Sequence, residues 1–354
     1  MLRELRKGTD SVHLAVVAEN EGTDFSWWID RTFKGLHSRK TNEDLESFRH
    51  FIREQLKSLE TPDTANVPLL TTYPVSRSVV DILLRIRSKD ATTQAAAFQV
   101  TALSTSRTFR SFFSWYRDRE DYENERRVET RSFRDPQLSA VRIAIERLMP
   151  GFSDLRVKRR PLRMIISKGG AEFEVDSLSD GEKGLLALVG DLARRLSLCN
   201  PGLKEPLNGQ GIVLIDELEL HLHPAWQRNA VHGLLEAFPN IQFIFTTHSP
   251  QVLSELRAQQ IFLLRDGIGY SAARSYGMES AQILRELMGD PGRPTAVEDE
   301  ISALYDRLDS GDLDEDERHL RQFEATVGED DQALLVARAK VRRSKVLRNR
   351  EAHH

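Results

Sequence analysis

The stretch that decides the fold is Gly211-Ile212-Val213-Leu214-Ile215-Asp216-Glu217, an apolar run that ends in two acids. Such a run is typical of a buried strand in a parallel sheet. Ligands of open α/β sheets bind at the carboxyl ends of the strands, where Asp216 and Glu217 come. There Asp216 could hold Mg²⁺ through water, and Glu217 could orient a water that attacks a γ-phosphate. A buried strand can also end in two acids for structural reasons, so the neighbouring segments decide.

The segment Ser177-Leu-Ser-Asp-Gly-Glu-Lys-Gly184 precedes a predicted helix from Lys183 to Leu198. Ser179 and the backbone amides that follow it would lie at the N-terminus of this helix, where anions bind readily. The structural alternative is that Ser179 only caps the helix, with Glu182 completing a capping box. Both interpretations can hold together, because a cap that presents amide groups suits an anion site.

The segment Phe245-Thr-Thr-His-Ser-Pro250 follows a predicted strand at Ile241–Phe245. Its position after the next strand favours contact of His248 with a γ-phosphate, although a lone histidine is more often structural. The pair His221-Leu-His223 lacks a third ligand at a suitable spacing, which disfavours a metal site. We expect this pair to shape the loop after Glu217.

A nucleotide-binding loop of the form G-x-x-x-x-G-K-[S/T] does not occur in the sequence. The segment Gly35-Leu-His-Ser-Arg-Lys-Thr41 ends in Lys-Thr but lacks the second glycine, whose small size lets the backbone wrap a phosphate. Arg77, in Tyr73-Pro-Val-Ser-Arg77, is a candidate phosphate contact or a solvated surface arginine.

The bulk composition is that of an ordinary globular chain, with 354 residues, 40% of them hydrophobic and 29% charged. No run approaches the roughly 18 apolar residues of a membrane span, and the N-terminus lacks the apolar core of a secretory signal. A single cysteine suits the reducing cytoplasm. The net charge of -4 provides no general attraction to nucleic acid, so any such contact needs a local basic patch.

The order of predicted elements divides the chain into four parts. These are a sheet-and-helix segment at 1–78, a charged helical insert at 79–160, a core with the three motifs at 161–290 and a charged helical extension at 291–354. In the core, strands alternate with helices, which predicts a parallel sheet buried on both faces.

Smaller features complete this prediction. Residues 11–34 favour a hairpin or a sheet edge, and residues 68–73 favour a short buried strand. The arginine-rich insert and the basic end of the chain, from Arg338 to Arg350, are candidate contacts for DNA or protein. Solvated helix faces are the commoner explanation of such charge runs.

With these residues in view, the chain resembles the RecF/SMC-like, ABC-class group of AAA-type ATP-binding proteins. The resemblance is carried by Leu178–Lys183, Ile215–Gln227 and Phe243–Pro250, and it is dense over about residues 160–265. In that family these segments are the signature loop, the Walker B strand and the switch-histidine loop. The resemblance implies an α/β, ABC-type P-loop NTPase head with a parallel sheet core, which dimerises on ATP.

The resemblance also implies roles for particular residues. Asp216 would be the Mg²⁺ ligand, Glu217 and His248 would be catalytic, and Ser179, Gly181 and Glu182 would contact ATP. Arg77 lies outside the motifs that carry the resemblance and stays a candidate ATP contact on its own position. Related proteins act in DNA repair, or as ATPases of anti-phage systems such as Septu and retron-linked modules, beside a separate nuclease. No nuclease motif occurs in this sequence, so any cleavage would belong to a partner.

The missing nucleotide-binding loop leaves two interpretations. The chain or its assigned start has lost an N-terminal strand–loop–helix unit, or the chain is a pseudo-ATPase that lends Ser179 to a complete partner and regulates it or a nuclease. We expect the lost strand to pair beside the Walker B strand, whose backbone would otherwise stay unpaired at a cost of several kcal/mol. That argument favours the first interpretation, as does Glu217, which would serve nucleotide bound in its own subunit.

Overall fold

The computed structural model describes residues 11–20, 22–34, 37–58, 66–75, 97, 105–265, 268–290, 292–310, 313–328 and 331–351. The chain divides into two compact units, Met1–Tyr276 and Gly277–His354.

The first unit contains both strands and helices. The strands are β1 (Ser11–Asn20), β2 (Thr23–Lys34), β3 (His37–Asp44), β4 (Leu69–Tyr73), β5 (Phe152–Arg159), β6 (Leu162–Lys168), β7 (Ala171–Glu174), β8 (Gly211–Ile215), β9 (Ile241–Phe245), β10 (Phe262–Arg265) and β11 (Ile268–Ser271). The helices are α1 (Glu46–Ser58), α2 (Thr105–Glu129), α3 (Pro136–Leu148), α4 (Asp180–Cys199), α5 (Pro224–Ala237) and α6 (Pro250–Ser254).

The N-terminal strands form an antiparallel sheet of order β1-β2-β3. The β1–β2 turn contains Gly22 at a φ of 77°, in the left-handed region that glycine adopts without a steric penalty. Helix α1 contacts β2, and the rings of Trp27 and Phe48 stack with their centroids 4.7 Å apart. The hairpin predicted at 11–34 is confirmed.

The parallel sheet has the order β4-β8-β9. Both of its ladders are parallel, which confirms the α/β class predicted from the alternating elements. The Walker B strand β8 lies in the middle and pairs with a neighbour along each edge. Our expectation that the strand of a missing nucleotide loop would pair with β8 is therefore wrong, because β4 and β9 complete both ladders.

The two faces of this parallel sheet differ in burial, and one is largely buried. Side chains alternate along a strand, so Tyr73, Val213 and Ile215 point to the buried face. On the opposite face Leu214 and its register partner Ile244 are 41% and 52% exposed. The prediction of burial on both faces is therefore wrong in this structure.

Helix α4, which follows the signature loop, lies at the centre of the unit. Every residue from Leu185 to Cys199 is buried, as in a helix surrounded by protein on all sides. Helix α2 approaches it closely, because a Cβ at Gly190 would lie 2.6 Å from the ring of Phe112. Helices α2 and α3 both fall in the predicted helical insert, and both pack against α4.

The second unit contains a short helix α7 (Ser280–Ile283) that continues as a π-turn to Met288, then α8 (Thr295–Ser310), α9 (Leu313–Val327) and α10 (Gln332–Glu351). The last three share a small apolar core, to which Leu304, Phe323 and Leu334 contribute. The prediction of helices in this region is confirmed. Within the described part of the chain, no helix is both long and apolar enough to cross a membrane.

Candidate functional site

The carboxyl end of β8 places Asp216 and Glu217 at the rim of the parallel sheet. The backbone N–H of Asp216 donates to Tyr73 of β4 at 2.9 Å, which continues the ladder to the first acid. Glu217 has a φ of 49°, in the left-handed region that side chains disfavour. The chain therefore leaves the extended conformation in a turn at Glu217, directly after the last residue of the ladder.

Thr246, directly after β9, holds this turn. Its hydroxyl donates to Asp216 Oδ1 at 2.6 Å and accepts from the backbone N–H of Glu217 at 2.8 Å. Its own N–H donates to Ile215, and its carbonyl accepts from Leu218. One residue of β9's loop thus contacts four consecutive residues of the Walker B segment.

Glu219 makes a second link between the two loops. Its carboxylate accepts a hydrogen bond from the backbone N–H of His248. The other oxygen, Oε2, is buried and has no hydrogen-bond partner among the described residues. His248 itself is exposed, so its imidazole can meet a ligand while its backbone is held by Glu219.

Ser249 anchors the switch-histidine loop to the rest of the unit. Its hydroxyl caps α6 by accepting from Val252 N–H at 3.2 Å, and donates to Gln227 of α5 at 2.7 Å. The amide of Gln227 donates in turn to the carbonyl of Leu222 at 2.8 Å. The loops after β8 and β9 are therefore joined at both ends.

The signature loop forms the predicted capping box at the start of α4. Ser179 Oγ accepts from Glu182 N–H at 3.4 Å, and Glu182 Oε2 accepts from Ser179 N–H at 3.0 Å. Lys168 donates to the other Glu182 oxygen at 2.7 Å. Burial raises the pKa of Glu182, but Lys168 and Ser179 outweigh this effect and lower it. The Glu182 carboxylate is therefore held ionised, which keeps the box closed at neutral pH.

Gly181 lies directly against the loop that follows the Walker B strand. A Cβ at this position would lie 2.3 Å from the carbonyl oxygen of His221, far inside normal contact. His221 has a φ of 63°, so the backbone on that side is also in the left-handed region. The signature loop and the His221–His223 loop of one chain are thus fitted to each other through their backbones.

A cavity of about 640 Å³ opens at this contact. Ser179 to Glu182 line one side, and His221, His223 and Trp226 line the other. The Nδ1 atom of His223 accepts from Ala225 N–H at 3.3 Å and so caps α5. This contact agrees with the expectation that the pair shapes the loop after Glu217. The described residues contain no cluster of three or more His, Cys, Asp or Glu side chains suited to hold a metal.

A buried ionic cluster ties α4 to the carboxyl end of β4. Asp191 accepts from Arg194 at 2.7 Å, from Arg195 at 2.6 Å and from the Tyr73 hydroxyl at 3.1 Å. Burial raises the pKa of Asp191, but Arg195 and Arg194 outweigh it and lower the pKa. This cluster fixes the signature helix relative to the strand beside Walker B.

The predicted site residues thus fall into two groups. Asp216, Glu217 and His248 lie in the two loops, after β8 and β9, that Thr246 and Glu219 join. Ser179, Gly181 and Glu182 line the cavity at α4. Arg77 lies outside the described residues. The sequence did not indicate a role for Thr246 or Glu219. Thr246 lies within the segment Phe245–Pro250, but its contact with Asp216 spans 30 positions.

Comparison with known proteins places these motifs in a family. Residues 16–254 match the family described as "AAA domain, putative AbiEii toxin, Type IV TA system". The Retron Vc95 probable ATPase of Vibrio cholerae serotype O1 biovar El Tor is 33% identical over 325 residues, covering 77% of this chain and 63% of that protein. The Retron Ec83 probable ATPase of Escherichia coli is 47% identical over 158 residues, covering 44% and 29%. The chain spans less than two thirds of either relative.

Among solved structures, the SMC head domain from Thermotoga maritima is 15% identical over 75% of this chain and 74% of its own, with a TM-score of 0.35. That likeness is too weak to carry an argument. The family match, in contrast, covers more than half of the chain and includes the signature loop, the Walker B strand and the switch histidine. The resemblance inferred from these motifs is confirmed, and the chain belongs to the family of AAA domains described as putative AbiEii toxin of type IV toxin–antitoxin systems.

Proposed function

We propose that this chain forms an ABC-class ATPase head that binds Mg-ATP, dimerises on it and acts in the cytoplasm in anti-phage defence or DNA repair, beside a separate nuclease. The observation that carries the proposal is the joining of the Walker B and switch-histidine loops through Thr246 and Glu219. This joint presents two carboxylates and an exposed imidazole at the carboxyl rim of a parallel sheet, where such sheets bind ligands.

The donor set at this rim fits Mg²⁺ bound together with phosphates. Mg²⁺ in phosphate-transfer sites commonly takes one or two carboxylates and completes its shell with water and phosphate oxygens, so a cluster of three protein ligands is not required. Asp216 would hold the ion, which would neutralise charge that develops on the phosphate oxygens. Glu217 would orient the attacking water and accept its proton, and His248 would donate to the γ-phosphate.

The signature loop would serve a nucleotide held by the second copy in the dimer. Ser179 would offer its hydroxyl and the first turn of α4 its amide groups, with the helix dipole favouring the anion. The capping box orders this turn before any ligand binds. The dimer and its nucleotide follow from the resemblance of the motifs, and the structure supports them through the shape of the loop.

Substitution of Glu217 tests the proposal. We expect Glu217→Gln to lower Mg-dependent ATP hydrolysis about a hundredfold or more, the usual effect of losing a general base, and to prolong the ATP-bound dimer in size-exclusion chromatography. Glu236→Gln, on an exposed face of α5, is the matched control. Hydrolysis that is unchanged in Glu217→Gln would remove Glu217 from this role.

The measurement needs two preparations: the 354-residue chain, and the chain extended by the codons that precede it in frame. We expect hydrolysis only where a G-x-x-x-x-G-K-[S/T] loop is present, and no micromolar binding of Mg-ATP to the printed chain alone in calorimetry. Tight binding by the printed chain would contradict our assignment of the phosphate-binding elements.

The absence of that loop from the printed sequence also favours a second candidate, a pseudo-ATPase subunit that regulates a nuclease or a complete ATPase. The two candidates differ in one respect, which is whether Asp216 and Glu217 act on a nucleotide. If neither preparation hydrolyses ATP, and the Ser179→Ala variant of the chain abolishes hydrolysis by a complete partner, the second candidate replaces the first.

A further inference from the structure

We propose that Thr246 is a positioning residue for the Walker B acids: its hydroxyl sets the orientation of the Asp216 carboxylate and holds the backbone turn at Glu217. The inference rests on the proposed function, because it assigns Thr246 a part in Mg-ATP hydrolysis.

The hydroxyl of Thr246 uses both of its hydrogen-bonding capacities on the Walker B segment. As a donor it reaches Asp216 Oδ1 at 2.6 Å, and as an acceptor it takes the N–H of Glu217 at 2.8 Å. A hydroxyl has one proton, so donation to Asp216 fixes the direction of that proton. A hydrogen bond to an ionised carboxylate is stronger than one between neutral groups, and it limits rotation of the carboxylate.

The backbone at Glu217 requires such support. A residue other than glycine at a φ of 49° is held in a disfavoured region, which persists only where the surroundings impose it. The bond from Glu217 N–H to Thr246 acts directly on this residue. Loss of the hydroxyl would free the N–H that follows Asp216 and allow the turn to relax, which moves both acids.

The neighbouring threonine shows that this contact is particular to Thr246. The hydroxyl of Thr247 accepts from the N–H of Ser249 at 3.0 Å, within its own loop. The main chain of Thr246 adds bonds to Ile215 and Leu218, and these do not depend on the side chain. A variant that lacks only the hydroxyl should therefore keep the two loops together and remain folded.

Three variants of the full chain separate the hydroxyl from the shape of the side chain. Thr246→Val keeps the shape and removes the hydroxyl, whereas Thr246→Ser keeps the hydroxyl. Thr72→Val makes the same substitution at an exposed position of β4 and serves as the control. Melting temperatures of all three check that they are folded. If Thr246→Val does not fold, Thr246→Ala, which also lacks the hydroxyl, takes its place in both readouts.

The first readout needs no nucleotide. Hydrogen exchange of the peptide that contains Glu217, followed by mass spectrometry, should be about tenfold faster in Thr246→Val, as expected for the loss of one hydrogen bond. Thr246→Ser and Thr72→Val should exchange at the wild-type rate. Equal exchange in Thr246→Val and wild type would overturn the proposal.

The second readout uses the extended preparation that hydrolyses ATP. Thr246→Val should lower kcat about tenfold or more and raise the Mg²⁺ concentration for half-maximal rate, with KM for ATP nearly unchanged and the rate restored in Thr246→Ser. Faster exchange with an unchanged kcat would reduce Thr246 to a structural residue and overturn the proposal. If no preparation hydrolyses ATP, the proposed function fails, while the exchange result still decides whether Thr246 holds the Glu217 turn.

Discussion

Substitution of Gly181 by alanine tests the contact between the signature loop and the His221 backbone. The added Cβ would lie 2.3 Å from the His221 carbonyl oxygen, 3.1 Å from its carbonyl carbon and 3.5 Å from the Cα of Leu222. Normal carbon–oxygen contacts begin near about 3.4 Å, so one of two backbone segments must move by roughly 1 Å. Forcing such a shift in a packed region costs about 1–3 kcal/mol.

Helix propensity acts in the opposite direction at this position. Replacing glycine by alanine within a helix stabilises the protein by about 0.5–1 kcal/mol where space allows. Gly184, one turn further along α4, has no atom within 4 Å of an added Cβ. Gly184→Ala is therefore the matched control. Because the propensity gain applies to both variants and cancels, their free energies of unfolding should differ by the cost of the forced shift, about 1–3 kcal/mol.

Urea denaturation of wild type and both variants measures this difference, with circular dichroism as the signal. Trp226 lines the same cavity, so its fluorescence should also change in Gly181→Ala and stay constant in Gly184→Ala. If Gly181→Ala is as stable as Gly184→Ala, the contact with His221 does not exist as described. The glycine of the signature loop would then be explained by the anion site alone.

Two further predictions concern buried titratable groups of α4. Asp191→Asn should lower the free energy of unfolding by about 3–5 kcal/mol in urea titrations, because Arg194 and Arg195 lose their buried counter-charge. Asp154→Asn, at an exposed position, is the control. Equal free energies of unfolding for the two variants would contradict this prediction. Folding lowers the pKa of Asp191 from its ordinary 3.8. The ionised carboxylate therefore contributes its full stabilisation above pH 3.8, and this contribution is lost as the pH falls through the lower pKa of the folded state. Acid titration of wild type and Asp191→Asn should show this loss in wild type only. Burial raises the pKa of the Cys199 thiol to about 12. Native protein should therefore not react with a disulfide reagent at about pH 8. Reaction at the rate of a free thiol would show that Cys199 is not buried.

The sequence predicted those elements whose formation depends on local signals. Strands β8 and β9 are short apolar runs bounded by turn residues, and α4 starts at a Ser-x-x-Glu capping pattern, so propensity and pattern agree. The capping box itself was predicted from Ser179 and Glu182 and is present. Such features need only neighbours a few positions apart, which a sequence displays directly.

Contacts between loops could not be predicted in this way. Thr246 reaches Asp216 because β8 and β9 are adjacent and parallel with Ile215 opposite Phe245, and no local pattern encodes that register. Gly181 shows the same limit from another direction. Its place in the signature motif suggested that its backbone amide contacts an anion. The structure adds a second reason for glycine, because the carbonyl of His221, about 40 positions away, leaves no room for a side chain.

The order of the strands in the parallel sheet differs from the order expected from the sequence, and this difference bears on the missing nucleotide loop. The case for a lost N-terminal unit assumed that the Walker B strand would lack a neighbour, but β8 pairs with both β4 and β9. No backbone cost at β8 therefore separates the two interpretations of the missing nucleotide loop. One face of the parallel sheet carries exposed apolar side chains, among them Leu70, Leu214 and Ile244. This exposure does not distinguish the two interpretations either. What still favours an ATPase that acts on its own nucleotide is chemical: Thr246 holds Asp216 and Glu217 in a disfavoured turn, and a subunit that only lends Ser179 to a partner gains nothing from that arrangement.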